Sequence, residues 1–316
     1  MANKILITGF SGFVGQHLLS HLLALNNDAV IIGIDMNDPL FVFPKSVQFK
    51  KINLLDEENV NELIRDVGPD VIIHLASFSK VSESWLNPIS SFKNNTNIFL
   101  NIIEAVRKNG LNTKFLSIGS SEEYGIVDAT AVPLREENAL NPNSPYSVAR
   151  VSQEWMSKVY AKGYNMKVII TRSFNHYGLF QHDNFVIPSM VRQLCEIKNK
   201  NEKSSLSVGN IDVIRDFIHV SDVVKAYSLL LNKGISGEVY NICTGRGISL
   251  REVIRIISNK LNIKPEIIIN KDLYRPNDNP IIIGDNKKLF QLGWKPEISL
   301  EQGLDEMIEF YLNRPK

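Results

Sequence analysis

The chain of 316 residues carries 35 Lys and Arg residues against 34 Asp and Glu residues, a formal net charge of +1. This length suffices for one large domain or two smaller ones with a sizeable core. The balanced charge argues against a nucleic-acid partner. No apolar run reaches the roughly 18 residues of a membrane-spanning helix, so we also expect no membrane partner.

The cysteines and the first residues bear on the cellular compartment. Cys195 and Cys243 lack metal-ligand spacing and are typical of reduced thiols. A strand that starts within three residues of the first Met leaves no room for a signal peptide. We therefore expect a cytoplasmic protein.

A glycine-rich turn follows the first predicted strand, KILI at residues 4–7. Gly9, Gly12 and Gly15 have GxxGxxG spacing, and apolar residues at helical spacing follow them. Gly9 permits the turn, Gly12 lets a ligand approach the backbone, and Gly15 lets the helix pack on the strand. A strand, a tight turn and a helix N-terminus together favour a pyrophosphate. We predict that this turn binds a dinucleotide cofactor, together with Phe13 and Val14.

The second predicted strand, Val30–Asp35, ends on an acidic residue about 20 positions beyond the turn. A carboxylate at this point can accept hydrogen bonds from both hydroxyls of the adenosine ribose, and it repels a 2′-phosphate. Asp35 therefore predicts NAD(H) rather than NADP(H).

Strands and helices alternate through the first 120 residues. Further strands are predicted at residues 47–52, 71–75 and 114–118, with helices at residues 56–66 and 91–109. This alternation predicts an α/β fold, a Rossmann-like doubly wound parallel sheet with helices on both faces. Ligands lie beyond the carboxyl ends of the strands in such sheets. The residues predicted there to bind the cofactor are Asn53, Leu54, Leu75, Ala76 and Ser77.

A serine and a tyrosine indicate a catalytic centre at the same edge of the sheet. Ser120 follows the fifth strand, and Tyr146 and Arg150 lie four residues apart on one face of a predicted helix. Because a cation stabilises the ionised phenol, we expect Arg150 to lower the pKa of Tyr146 toward the range of proton transfer. Ser120 would hydrogen-bond the same substrate oxygen.

The second half of the chain is less regular and predicts a smaller, mixed α/β domain at the C-terminus. Ser221 is the predicted N-cap of a helix at residues 222–231. The other predicted elements are strands at residues 167–171, 206–208, 214–218, 239–242 and 265–269, a helix from residue 249 to about residue 261, and an amphipathic terminal helix.

Together these motifs resemble the extended short-chain dehydrogenases/reductases that act on nucleotide sugars. The resemblance is carried by the GxxGxxG turn, Asp35, residues 74–76, Asn95, Ser120, the Tyr146 motif and residues 172–178. Within that superfamily the chain is most similar to GDP-4-keto-6-deoxy-mannose reductases, with GDP-mannose 4,6-dehydratases as near relatives. The segments that favour this subfamily are residues 82–85, 120–125, 174–176, 208–210, 215–217 and 275–276.

The resemblance implies a binding role for further residues. Asn95 joins the cofactor site. Asn175 contacts the sugar or its diphosphate, and Val186 lies on a helix that lines the nucleotide pocket. The remaining residues implied to bind substrate are Arg215 and Arg275 at the diphosphate, Asp278 at the nucleoside ribose, and Ser121 and Glu122 beside Ser120.

The resemblance also implies an organisation in two parts. Residues 1–172, with about 217–241, would form the NAD-binding domain, and residues 173–216 and 242–316 the domain that binds a nucleotide-diphosphate sugar. Family members usually form homodimers through a four-helix bundle, which here would contain the helices at residues 91–109 and 146–162.

One residue departs from the family pattern Tyr-x-x-x-Lys, since Arg150 replaces the lysine. The family lysine holds the nicotinamide ribose and lowers the pKa of the tyrosine. Arginine keeps the charge but is larger and planar. Our hypothesis is that Arg150 retains the electrostatic role with altered ribose geometry.

These observations favour a reductase that acts at C4 of a nucleotide-linked sugar, with GDP favoured as the nucleotide, in deoxysugar synthesis for surface polysaccharide. Glu122 matches the dehydratase base, and with Asp35 it keeps open an NAD-retaining dehydratase, 4-dehydrogenase or epimerase. A non-catalytic protein that binds NAD or a nucleotide sugar is the third alternative. His17 and His21 have helical spacing but no HExxH context, so we predict no metal.

Overall fold

The computed structural model describes residues 3–25, 28–200, 205–274 and 279–313. The first half of the chain alternates strands and helices in the predicted order. Its elements are β1 (Lys4–Thr8), α1 (Phe13–Ala24), β2 (Val30–Asp35), β3 (Gln48–Lys51), α2 (Glu57–Val67), β4 (Val71–His74), α3 (Val81–Leu86), α4 (Pro88–Lys108), β5 (Lys114–Ser120), α5 (Pro145–Gly163) and β6 (Lys167–Ser173).

Shorter strands dominate the second half. Its elements are β7 (Asn175–Tyr177), α6 (Val186–Lys200), β8 (Ser205–Val208), β9 (Ile214–Arg215), β10 (Phe217–His219), α7 (Val220–Lys233), β11 (Val239–Ile242), β12 (Ile248–Ser249), α8 (Leu250–Leu261), β13 (Glu266–Ile269), β14 (Ile281–Ile282), α9 (Lys287–Gln291) and α10 (Leu300–Asn313). Short 3₁₀ helices lie at Ser121–Tyr124, Ala129–Ala131 and Lys271–Leu273.

Seven parallel strands form one sheet in the order β11-β6-β5-β4-β1-β2-β3. The last residue of β1, Thr8, pairs with Ile34 of β2 on one side and with His74 of β4 on the other. The strand order therefore reverses at β1, and this switch point is where doubly wound sheets bind ligands. The predicted Rossmann-like fold is confirmed.

Apolar side chains cover both faces of this sheet, which explains why its strands read as continuous apolar runs. Leu18 of α1 and Tyr227 of α7 belong to the buried cluster on one face. Ile64 of α2, Phe99 of α4 and Tyr160 of α5 belong to the cluster on the other. Burial of a large apolar side chain contributes about 1.5–3 kcal/mol, so the two faces together hold the layers in place.

The second half of the chain builds a core of its own between α6, α8 and α10. Leu194, Val253, Ile257, Leu304 and Met307 are buried together there. Small sheets border this core: β10 pairs with β7, β13 pairs with β8, and β9 lies between β12 and β14. These sheets account for the mixed character predicted for this part of the chain.

The strand predicted at residues 214–218 is two strands, and that prediction is wrong in its continuity. β9 and β10 belong to different sheets. Asp216 separates them, since its buried carboxylate accepts hydrogen bonds from Thr244 N and Oγ1 at 2.8 and 2.6 Å and from Gly245 N at 2.9 Å. These donors come from the loop after β11 and hold the chain out of a regular ladder.

The predicted N-cap at Ser221 is also wrong. α7 begins two residues earlier than predicted, and its N-cap is His219, whose Nδ1 accepts a hydrogen bond from Ser221 N. Histidine is not among the residues usually preferred at the N-cap, which are Ser, Thr, Asp, Asn and Gly, so its cap carries no ordinary sequence signal.

After β10 the chain returns to the large sheet. α7 packs on α1 in the same apolar cluster, and β11 pairs with β6 from Val239↔Ile170 to Ile242↔Ser173.

The division into two interleaved domains stays a prediction. Among the described residues, no helix has the length and apolarity needed to cross a membrane.

Candidate active site

The glycine turn lies at the switch point, between the ends of β2 and β4. Gly9 has φ of +69°, and a Cβ there would lie 2.7 Å from Ala76 N. A Cβ at Gly15 would lie 2.3 Å from Phe10 O, so only glycine allows α1 to approach the turn this closely. α1 begins at Phe13, and its N-cap Gly12 offers no side-chain acceptor. The N–H groups of the first turn therefore form a cradle that fits a pyrophosphate.

Asp35 stands beside this cradle at the end of β2. Its Oδ2 accepts a hydrogen bond from Ser11 N at 3.1 Å, and its Oδ1 accepts one from Asn37 N at 3.0 Å. Two backbone donors thus orient the carboxylate next to the helix N-terminus. Asn53 and Leu54 follow β3 at the same edge. Their cofactor role stays a prediction, since Asn53 Oδ1 bonds locally to Leu55 N.

The segment after β4 is held against β1. Thr8 Oγ1 accepts a hydrogen bond from Ala76 N at 3.0 Å and lies 2.9 Å from His74 Nδ1. Leu75, Ala76 and Ser77 consequently run along the edge of the glycine turn. Burial and then the charge of Arg150 lower the pKa of His74 to about 3, so this imidazole is neutral.

Asn95 is fully buried beneath that segment. Its Oδ1 accepts a hydrogen bond from Phe78 N at 2.9 Å, and its Nδ2 donates to Ser91 O at 2.9 Å and to Phe78 O at 3.3 Å. Both amide protons are used within the protein. Asn95 therefore braces the loop after Ser77 to α4, and its place in the cofactor site stays a prediction.

Ser120 and Tyr146 come together as the sequence predicts. Ser120 ends β5, and its Oγ accepts a hydrogen bond from Glu122 N at 3.2 Å. Tyr146 lies in the first turn of α5 and is 6% exposed, and its phenol is close enough to the Ser120 side chain for that hydroxyl group to act on its pKa. One substrate oxygen can thus contact both hydroxyl groups.

Arg150 lies one turn further along α5, with its guanidinium carbon 5.9 Å from the centre of the Tyr146 ring. It is buried and donates a hydrogen bond from Nη2 to Ile118 O. Its Nε is buried and has no hydrogen-bond acceptor in the described part of the chain. That donor fits an acceptor brought by a ligand, such as a ribose hydroxyl.

The expected fall in the pKa of Tyr146 is wrong in its net direction. Burial raises the pKa of the phenol, and the charge of Arg150 and the hydrogen bond with Ser120 offset only part of this rise. The nearby charge of Glu122 raises it further. Tyr146 is therefore protonated at neutral pH and is suited to donate a proton.

The described residues that are predicted to bind substrate lie on several different elements. Asn175 begins β7, and the ring of the next residue, His176, stacks on Phe13 of the glycine turn at 6.0 Å. Val186 begins α6, and half-buried Arg215 ends β9. Arg275 and Asp278 lie outside the described residues. Ser121 is buried in the 3₁₀ helix that follows Ser120.

A buried ionic cluster behind Ser120 was missed from the sequence. Arg172 on β6 donates to Glu154 on α5 from Nε at 2.7 Å and from Nη2 at 2.8 Å. Glu123 lies against this pair, with 4.0 Å between its Oε2 and Arg172 Nε. The spacing of residues 146, 150 and 154 places Glu154 on the same face of α5 as Tyr146, and this was the available signal.

Among the described residues, no third metal-ligating side chain is arranged with His17 and His21 to hold a metal ion. His17 Nε2 lies 2.9 Å from Leu179 O, which ties α1 to the loop before α6. Within residues 3–25, 28–200, 205–274 and 279–313, no group of three His, Cys, Asp or Glu side chains is arranged to hold a metal ion.

The dinucleotide cradle, the acidic residue at the end of β2 and the Ser–Tyr pair at one edge of a seven-stranded sheet define an extended short-chain dehydrogenase/reductase. The model of the GDP-mannose 4,6 dehydratase family matches residues 6–307. The chain belongs to this family, as its resemblance predicts.

Its relatives include reductases, dehydratases and epimerases of nucleotide sugars. GDP-6-deoxy-D-mannose reductase of Pseudomonas aeruginosa is 32% identical over 315 residues, which are 99% of both chains. The structure of RMD from Pseudomonas aeruginosa complexed with NADPH matches with a TM-score of 0.86 and 32% identity, over 100% of this chain and 99% of that one. UDP-glucose 4-epimerase of Thermus thermophilus in complex with NAD matches with a TM-score of 0.87 and 26% identity, over 98% of this chain and 99% of that one.

Proposed function

We propose that this protein is an NAD(P)-dependent reductase of the 4-keto group of a nucleotide-linked sugar, with GDP as the favoured nucleotide. The observation that carries the proposal is that buried, protonated Tyr146 lies next to Ser120 and beside the dinucleotide cradle. The similarity to GDP-6-deoxy-D-mannose reductase over 99% of the chain supports the choice of substrate. Such a reaction serves deoxysugar synthesis for surface polysaccharide in the cytoplasm.

The residues of the chain divide the chemistry between them. The N–H groups of Phe13, Val14 and Gly15 would hold the cofactor diphosphate, and Asp35 would hold its adenosine ribose. When bound, a reduced nicotinamide supplies hydride to C4 of the sugar. Tyr146 donates its phenolic proton to the ketone oxygen, and Ser120 orients that oxygen by a hydrogen bond. The cation of Arg150 stabilises the phenolate that Tyr146 leaves behind.

Purified protein should oxidise NADH when it is mixed with GDP-4-keto-6-deoxy-mannose, and Tyr146→Phe should abolish the reaction. The matched control is Tyr164→Phe, because Tyr164 follows the opposite end of α5. Failure to turn over every GDP-, dTDP-, UDP- and CDP-4-keto sugar tested would refute the proposal and favour a non-catalytic binding protein.

Asp35 supports NAD(H) as the preferred cofactor. Its carboxylate is held by two backbone donors where the adenosine ribose would lie, so a 2′-phosphate would meet a negative charge there. The wild-type protein should show a higher kcat/KM with NADH than with NADPH, and Asp35→Asn should reduce that preference at least tenfold, about 1.4 kcal/mol. Equal use of both cofactors by wild-type protein would contradict this assignment.

A recycling enzyme is the second candidate, and the position of Glu122 favours it. Glu122 lies in the 3₁₀ helix directly after Ser120, and its charge acts on the Tyr146 phenol. A dehydratase, 4-dehydrogenase or epimerase of this kind keeps its NAD bound. Release of one NAD per chain on denaturation would favour the recycling enzyme, and cofactor-free protein would favour the reductase.

We also propose a homodimer formed by α4 and α5. A groove of about 790 Å³ lies between the N-terminal ends of these helices and is lined by apolar side chains including Trp85, Phe92 and Val148. Further along α5, Trp155 is 57% exposed and Val159 is 47% exposed. A two-fold axis would bring these side chains of one copy toward the groove of the other. Light scattering should give about twice the chain mass of 35.7 kDa, and a monomer would refute the dimer.

A further inference from the structure

A buried glutamate connects the loop of Ser120 to the helix of Tyr146. Glu123 is fully buried, and its Oε1 accepts a hydrogen bond from Ser120 N at 2.6 Å. A Cβ at Gly119 would lie 2.5 Å from that same Oε1, so the carboxyl group packs tightly beneath the strand end. A fully buried carboxyl group is costly to retain unless its partners compensate it.

The second oxygen of Glu123 faces the ionic cluster. Glu123 Oε2 receives no hydrogen bond from another group in the described ranges and lies 4.0 Å from Arg172 Nε, which donates to Glu154 Oε2 at 2.7 Å. Two carboxyl groups beside one buried guanidinium favour a proton on one of them. Burial and the charge of Glu154 raise the pKa of Glu123 well above its usual value. Burial also acts to raise the pKa of Glu154, but Arg172 outweighs this and lowers it to about 2.

Glu154 is therefore the ionised member of the pair, and the raised pKa of Glu123 favours its neutral form. Glu154 is anchored on α5, receives two hydrogen bonds from Arg172 of β6 and receives a third from Lys158 Nζ at 2.6 Å. Tyr146 lies two turns earlier on the same face of the helix. The backbone of Ser120 and the helix that carries Tyr146 are thus both joined to this cluster.

We propose that Glu123 is a positioning residue of the active site, which fixes the Ser120 backbone relative to α5 so that the two hydroxyl groups meet one substrate oxygen. This inference rests on the proposed function, because it assigns both hydroxyl groups to the same ketone. Glu123 itself touches neither hydroxyl group through the hydrogen bonds described above. Its effect on turnover would pass through the Ser120 N–H.

Two substitutions of Glu123 separate the effect of its side-chain length from the effect of its carboxyl group. Glu123→Gln keeps the length of the side chain, with a carbonyl oxygen for Ser120 N and an N–H for Glu154. Glu123→Asp keeps the acid but is one methylene shorter. We expect Gln to retain kcat within about threefold of wild type, and Asp to lower kcat about 10- to 100-fold at nearly unchanged KM for NADH, because small displacements of reacting groups are costly.

A core variant far from this loop controls for a general loss of stability. Val60→Ala removes buried apolar volume on α2 and should lower Tm without lowering kcat. The amide exchange of residues 117–124 gives a readout that needs no turnover, and Asp should accelerate it about tenfold while Gln leaves it near the wild-type rate.

The outcomes decide the role of Glu123. Loss of kcat in Gln with wild-type kcat in Asp would show that a charge is required, and it would overturn the proposal. Unchanged amide exchange in Asp would also overturn it. If wild-type protein turns over no 4-keto sugar, the proposed function fails, and the exchange measurement still decides whether Glu123 holds the Ser120 backbone.

Discussion

Replacing Arg150 by methionine removes the charge beside Tyr146 while it keeps most of the side-chain volume. The guanidinium carbon lies 5.9 Å from the centre of the Tyr146 ring. With an effective dielectric constant of about 20, Coulomb's law gives about 2.8 kcal/mol for a pair of unit charges at that distance. This energy corresponds to about two units in the pKa of the phenol, in addition to the rise that burial already causes.

We expect Arg150→Met to lower kcat of ketone reduction about 100-fold, since the full charge interaction would be lost as the phenolate forms. The KM for the nucleotide sugar should change little. Initial rates of NADH oxidation, measured across the pH range, test both statements. The backbone near the substitution should stay in place, because Gln153 Nε2 also donates to Ile118 O at 3.2 Å.

Arg150→Lys is the matched control, since it restores a positive charge with the residue that the family pattern has at this position. This variant should be at least as active as wild-type protein. A Met variant with wild-type kcat would refute the electrostatic role of Arg150. An inactive wild-type protein that lysine rescues would instead indicate a degenerate site.

Three further results should follow from the buried cluster and the exposed face. Glu154→Leu leaves Arg172 buried without its partner and should lower the free energy of unfolding in urea by about 3–5 kcal/mol. Replacing both Glu154 and Arg172 by apolar residues should recover most of that loss. A Glu154→Leu variant with wild-type stability would contradict this expectation. Glu123→Gln should raise Tm more at pH 8 than at pH 5. Because the pKa of Glu123 is raised in the folded protein, its contribution to the free energy of unfolding is fully present at pH values below the pKa of the unfolded state. That contribution is lost as pH rises toward the pKa of the folded state, and glutamine, which does not titrate, avoids this loss. A pH-independent difference in Tm would contradict this. Trp155→Glu places a charge on the exposed face of α5 and should halve the mass seen by light scattering, whereas an unchanged dimer would move the interface elsewhere.

The two candidate reactions place different demands on Tyr146. A reductase needs a protonated phenol to donate to the ketone, whereas an enzyme that begins by oxidising C4 needs a phenolate to accept a proton. The raised pKa of buried Tyr146 suits the first demand. The release of bound NAD on denaturation and the pH dependence of kcat therefore test the same question independently.

Local patterns carried much of the prediction. The glycine turn, the acidic end of Val30–Asp35 and the i, i+4 spacing of Tyr146 and Arg150 depend on residues close together in the sequence. Such patterns report strand and helix periodicity directly. The parallel sheet followed from the alternation of these elements, because parallel strands joined by helices have few compatible topologies. The family followed from the same motifs in their order.

Only the tertiary structure decided the balance of forces at the site. Tyr146 has a raised pKa because its burial outweighs the charge of Arg150. Asn95 supports a loop by exchanging hydrogen bonds with the backbone of Phe78. Asp216 interrupts a predicted strand because its carboxylate accepts hydrogen bonds from residues that follow β11. Glu123 meets Glu154 and Arg172 although all three lie on different elements. Burial and charge depend on contacts between distant parts of the chain, and periodicity in the sequence carries no record of them.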